Sequence, residues 1–117
     1  PIPIKKSIND GNKKNVIILT RDPNYVKAPF NHKWLLSKKY SNFKGLCKSI
    51  LNRHKLYNET LTYIKKLEDE GSAFVIRPQF PPNVRRVEKN QERLNSLYLQ
   101  GYKDAEKSYE SLMTFLN

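Results

Sequence analysis

The side chains in this chain that can do acid–base or nucleophilic work are few: His32, His54 and Cys47. A histidine can act as a general base near neutral pH, and a cysteine as a nucleophile once its thiolate is stabilised. Neither role is prepared by the neighbouring sequence. Cys47 and His54 fall on the apolar face of one long helical pattern, where a thiol fills volume and a histidine is met by a hydrogen bond. His32 lies in a loop beside Trp34, where packing or solvation is the simpler role. No G-x-S-x-G occurs, so the nucleophile elbow of α/β hydrolases is missing. Gly11, Gly45, Gly71 and Gly101 are isolated and form neither a phosphate-cradling loop nor a dinucleotide fingerprint.

No cluster has metal-ligand spacing, so neither metal nor cofactor is expected. Glu68-Asp69-Glu70 closes a helix, where the dipole disfavours negative charge; a solvated cap is a simpler reading than a carboxylate pair for acid–base work. What remains is cationic. Arg85-Arg86, with Arg77 nearby, can contact a phosphate through guanidinium forks, or lie in a solvated loop with Glu88 as an ion-pair partner. These three arginines are the candidate anion or surface contacts. No catalytic, cofactor-binding or metal-ligating residue is expected.

The elements that must position them read as α/β. Residues 1–11 form a short helix, with Pro3 in its first turn, Ile4 and Ile8 on one face, and Gly11 closing it in the left-handed conformation. Asp10-Gly11-Asn12 marks the turn. Val16-Ile17-Ile18-Leu19-Thr20 is a continuous apolar run, the signature of a strand buried on both faces in a parallel sheet. Pro23 and Pro29 punctuate a loop. A short helix is expected over 33–40. A long one follows, capped by Ser41 or Asn42, with Phe43, Leu46, Cys47, Ile50, Leu51, His54, Tyr57, Leu61, Ile64 and Leu67 at helical spacing, and Gly71 ends it. Ala73-Phe74-Val75-Ile76 is a second strand, closed by Arg77-Pro78. From about Glu88 the helical period returns through Leu94, Leu97, Tyr98, Tyr102, Ala105, Tyr109, Leu112, Met113 and Leu116. Gly101 splits it into two helices. The expectation is two parallel-type strands (about 15–20 and 73–77), joined by a helical crossover, and about five helices. Two strands make a poor sheet by themselves, and their outer edges want partners.

Composition narrows the setting. With 117 residues the chain is at most one domain, and 38% hydrophobic content suits a folded unit. No apolar run approaches the roughly 20 residues that span a bilayer. A single cysteine excludes an internal disulfide and fits a reducing, cytoplasmic setting. The chain starts at Pro1, not Met, which points to a piece of a longer polypeptide. Its net charge is +11. Residues 1–60 carry 13 Lys/Arg against 3 Asp/Glu, whereas residues 61–117 carry 9 against 8. That field can draw in an anionic membrane surface, nucleic acid or an acidic partner, or can simply be a solvated lysine-rich face. Nucleic acid is disfavoured, because the aromatics do not interleave with the basic residues as stacking platforms.

Several stretches resemble the C-terminal part of bacterial patatin-like phospholipases and esterases. Pro1-Ile2-Pro3-Ile4, with Lys5 to Gly11 and Val16-Ile17-Ile18-Leu19-Thr20-Arg21, is similar to the segment that follows the family's D-G-G/A motif. Arg53-His54, Tyr57-Asn58, Glu70-Gly71 and Phe74-Val75-Ile76-Arg77-Pro78 resemble the helix and strand that come next. Val84 to Leu97, then Tyr98, Gly101, Tyr102, Asp104 and Ala105, resemble the appended helical region. The resemblance implies an α/β sandwich and hydrolysis of lipid acyl esters by a Ser–Asp dyad, without a metal. It places the dyad aspartate just before Pro1, and the serine elbow and oxyanion loop further upstream, so no catalytic role transfers to this chain. Asp10 of Asp10-Gly11-Asn12 is not the dyad residue, since it follows Pro-Ile-Pro-Ile at a helix end. Residues 1–82 would then finish the α/β domain and 83–117 add the helical region. The expected function is a non-catalytic segment that completes a lipid acyl hydrolase, peripheral to the membrane through its basic half. Its main partner would be the catalytic part of the same polypeptide. The alternatives are a self-contained homodimerisation or scaffold domain, and a basic nucleic-acid-binding module.

Overall fold

Each of the two strands is fed by a helix that ends in a left-handed glycine. The computed structural model describes residues 2–117; Pro1, read as the start of the first helix, lies outside the described residues. Helix α1 (Ile4–Asn9) runs into strand β1 (Asn15–Ile18) through Gly11, at φ 94°. Helix α3 (Lys44–Asp69) runs into strand β2 (Ala73–Ile76) through Gly71, at φ 72°. Both turns carry the paired hydrogen bonds of a Schellman motif. The Gly11 amide donates to the Ile8 carbonyl and Asn12 to Ser7; Gly71 donates to Glu68 and Ser72 to Leu67. Only glycine takes such a φ without strain, which is why two isolated glycines fall where they do.

The strands pair in parallel, with Asn15 opposite Ala73, Val16 opposite Phe74, Ile17 opposite Val75 and Ile18 opposite Ile76. The Leu19 amide adds one more ladder bond to the Ile76 carbonyl at 2.8 Å. The ladder is shorter than the expected 15–20 and 73–77, because the backbone bends away at Thr20 and loses its partner at Arg77. Between the strands the chain passes through a loop, helix α2 (Lys33–Lys39) and α3. The loop is pinned to α3 by Asn58, whose side chain accepts from the Lys27 amide at 2.9 Å and donates to the Lys27 carbonyl at 3.1 Å.

The core sits on one side of the sheet. Ile4, Ile17, Leu19, Ile64, Leu67 and Ala73 are buried there, with Ile2, Ile8, Leu61, Tyr63 and Val75 packed around them. One polar residue joins it: Asn15, whose side chain accepts from the Ser7 hydroxyl at 2.6 Å and donates to the Asn12 carbonyl at 3.1 Å. The long apolar face of α3 is thus fully buried only at its C-terminal end. Phe43 and Leu46 are exposed, and the residues between are half-buried.

Helix α4 (Gln91–Leu116) crosses the other side of β2, with the Phe74 and Phe115 rings 5.7 Å apart. Lys14 anchors its last turn by donating to the Phe115 carbonyl at 2.7 Å. Its first turn is capped by Asn90, which accepts from the Arg93 amide at 3.0 Å. The fold is therefore mixed α/β and mostly helical, with four helices where about five were expected. Gly101 does not split α4. It keeps a negative φ, and an added Cβ there would meet nothing within 4 Å. The cost of one helical glycine, about 1 kcal/mol, is too small to break a continuous ladder of hydrogen bonds when no neighbouring element demands a bend.

The two glycine environments predict opposite signs. Gly101→Ala should stabilise the fold by about 0.5–1 kcal/mol, the helix-propensity gain. Gly71→Ala should destabilise it by roughly 1–2 kcal/mol, the cost of a left-handed residue carrying a Cβ. Urea denaturation midpoints of the two variants measure both.

Candidate functional site

The first candidate site is the unpaired edge of β1. Because the Asn15 and Leu19 amides point to β2, the intervening Val16 and Ile18 direct their peptide groups the other way, along the open edge. Their side chains are also uncovered: Val16 is 43% exposed and Ile18 75%. The expectation of burial on both faces fails here, since only alternate residues of β1 are covered. Among the described residues no second layer buries Val16 and Ile18 on this side, as α4 packs mainly on β2. Beside the edge runs a groove of about 270 Å³ between α1 and β1, lined by Ile2, Pro3, Ile4, Val16 and Ile18 among others.

Helix α4 repeats the pattern. Leu94, Tyr98, Tyr102, Tyr109, Met113 and Leu116 are all exposed, although their spacing reads as a core face. The face turned inward is the one containing Leu97, Gln100, Asp104, Ser108, Leu112 and Phe115, each half-buried. A sheet only two strands wide covers one stripe of a helix, not two. Whole-chain dimensions agree. The radius of gyration is 17.4 Å, against about 13 Å for a compact domain of this length. The accessible surface is 9595 Å², against roughly 6,600 Å² for a folded monomer of this mass.

The second candidate site lies at the carboxyl ends of the two strands, where open parallel sheets place their ligands. A cleft of about 480 Å³ is bounded there by the β1 end, the segment after β2, and α4. It brings together all three arginines singled out in the sequence, Arg77, Arg85 and Arg86, and adds Arg21, which sequence separation hid. Arg77 is held by an ion pair with Glu68 at the end of α3. Arg21 lies with its guanidinium 4.9 Å from the Tyr25 ring centroid. Asp104 enters from α4, with Oδ2 buried and no hydrogen-bond partner among the described residues. The sequence named Asp104 only as part of the resemblance of the last helical region and gave it no role at a site, since its register on α4 becomes meaningful only once the helix face toward the sheet is known.

The other reactive side chains are not assembled. Cys47 is half-buried and donates to the Tyr40 carbonyl at 3.2 Å. His54 is half-buried, and its Nδ1 has no hydrogen-bond partner among the described residues. The exposed His32 packs edge-on against Phe30, with ring centroids 5.9 Å apart. In the acidic run, Glu68 pairs with Arg77, and Glu70 lies 3.7 Å from Lys66. Among the described residues no group of three or more His, Cys, Asp or Glu is placed to hold a metal ion, and no helix is long and apolar enough to cross a membrane.

Residues 43–117 match the family described as Domain of unknown function (DUF6363), and the chain belongs to that family. The matched span takes in α3, β2 and α4 together. No curated protein and no solved structure matches the chain.

Within the matched span, the turn before α4 presents Arg85 and Arg86 to the cleft, and Glu88 organises that turn. Its carboxylate accepts from the Lys89 and Asn90 amides, both at 3.0 Å, and from the Arg85 amide at 3.4 Å. The Asn90 and Arg85 amides, then Lys89 and the Arg93 charge, hold the Glu88 carboxyl below the ordinary glutamate range, outweighing partial desolvation. A depressed folded value stabilises the turn above the ordinary glutamate pKa, and that contribution is lost as pH falls through the lowered one. Carboxyl-carbon NMR should therefore find Glu88 titrating below a free glutamate. In Glu88→Gln, the Arg85, Lys89 and Asn90 amides should lose their acid-side shift and exchange faster.

Proposed function

We propose that this chain is a non-catalytic α/β segment of a patatin-like lipid acyl hydrolase, and that it extends the enzyme's parallel sheet and completes its fold. The observation that carries this reading is the open edge of β1 together with the exposed Val16 and Ile18. A strand laid along that edge would take up the free peptide groups of both residues, and a layer over it would bury their side chains. Burying the exposed part of Ile18 stabilises the assembly by about 1–2 kcal/mol, and that of Val16 by less. The resemblance of Val16 to Arg21 and of Phe74 to Pro78 to strands of that family, in the same order, supports the parallel setting. In the intact enzyme the serine, the oxyanion donors and the dyad aspartate come from elsewhere in the polypeptide. This segment contributes the floor on which they stand.

The exposed aromatic and aliphatic stripe of α4, Tyr98, Tyr102, Tyr109 and Met113, is a second face left for the remainder of the enzyme to cover. The lysine-rich residues 1–60 would lie toward an anionic lipid surface and raise the local concentration of substrate. A second reading uses the same edge: two copies of the chain pairing β1 to β1, as a dimerisation module.

Ester hydrolysis separates these readings. The polypeptide that carries this segment should hydrolyse a short-chain nitrophenyl ester and encode G-x-S-x-G upstream, whereas the isolated chain should be inactive. Ile18→Lys should cost the intact enzyme stability and leave the isolated chain nearly unchanged. Activity in the isolated chain that survives purification and disappears with His54→Ala would overturn the proposal. A stable dimer by light scattering that Ile18→Lys dissociates would favour the second reading.

A further inference from the structure

The cleft at the carboxyl ends of β1 and β2 combines two chemistries. Its walls are apolar, built by Ile18, Ile76, Pro78, Pro82, Val84 and Leu97. Its polar lining is cationic. Arg77 is neutralised by Glu68, which leaves Arg21, Arg85 and Arg86 against the single carboxylate of Asp104. The balance is positive. The volume, about 480 Å³, falls within the range of small-molecule sites, which are mostly apolar with a few oriented polar groups.

From this we infer that the cleft binds an amphiphilic anion, with an alkyl or acyl tail against the apolar walls and a single phosphate or carboxylate head held by Arg85, Arg86 and Arg21. A guanidinium presents a planar fork that matches both head groups, and arginine stays charged throughout the physiological range. The backbone of Arg85 is held by the Glu88 carboxylate, so the Arg85-Arg86 pair is offered from a constrained turn. Asp104 sets the limit of the site: its carboxylate repels the head and keeps it toward the arginine side. The residues all lie within this chain, so the inference stands whether or not the chain belongs to an acyl hydrolase.

The probes are decyl phosphate and decanoate below their micellar concentrations, added to the full polypeptide carrying these residues and followed by NMR of the arginine Nε–Hε groups and by calorimetry. Saturable binding that shifts Arg21, Arg85 and Arg86 is expected. Arg85→Ala and Arg86→Ala should each weaken it about tenfold, the loss of one charge-assisted hydrogen bond. Asp104→Asn should tighten it, a gain that damage to the fold would not produce. Phosphatidylglycerol vesicles distinguish the sources. If they displace bound decyl phosphate, a bilayer headgroup fills the site; if they do not, the ligand is a free amphiphile, and both results keep the site. Equal binding of inorganic phosphate or of decyltrimethylammonium would overturn the inference, as would unchanged binding in both arginine variants or no binding of any anionic amphiphile.

Discussion

Four parallel residue pairs between β1 and β2 hold this chain together. Helices α1, α3 and α4 are placed by reference to them, and α2 follows by packing on α3. Helix α1 and the end of α3 pack on one side, and α4 lies on the other. The pairing is local to neither strand's sequence neighbourhood, since the chain passes through α2 and the whole of α3 between them. It forms because each strand arrives in the right direction. Gly11 and Gly71 turn the chain back at the ends of α1 and α3 through the same pair of hydrogen bonds, so the two strands leave their helices in the same sense. A residue with a Cβ would resist that turn at both points.

A two-stranded parallel sheet is a minimal object, and its incompleteness explains the rest of the surface. Parallel sheets are normally covered on both faces. Here one face is closed by Ile4, Ile64 and Leu67, while Val16 and Ile18 on the other are left to solvent. Helix α4 shows the same arithmetic of surfaces: two potential faces and sheet enough for one. The large radius of gyration follows directly, because α2, the first half of α3 and the outer stripe of α4 have little to pack against. The open edge, the bare strand face and the aromatic stripe are therefore one property seen in three places.

The arginine cleft depends on the same pairing. Parallel strands end together, so the residues that leave β1 and those that leave β2 meet at one end of the sheet. Arg21 and Arg77 come together for that reason. The turn ordered by Glu88 then returns Arg85 and Arg86 to the same place, and α4 closes the cleft with Asp104.

Residue types and their spacing marked the strands and the long helices, though not the strand ends or the unbroken run of α4. Continuous apolar runs marked both strands, glycines after Asp10 and Glu70 marked both helix ends, and the helical period marked α3 and α4. The arginine trio was legible as a candidate anion contact because residue type and charge are local facts. Packing between distant elements settled what periodicity leaves open. It chose which stripe of α4 faces the sheet, and so brought Asp104 inward and Tyr98, Tyr102 and Tyr109 outward. It carried α4 unbroken past Gly101, where no neighbour requires a bend. It left Val16 and Ile18 bare, and it joined Arg21 to Arg85 and Arg86. Each of these is a relation between residues far apart in the chain, and burial depends on what lies opposite a side chain, which no local pattern records.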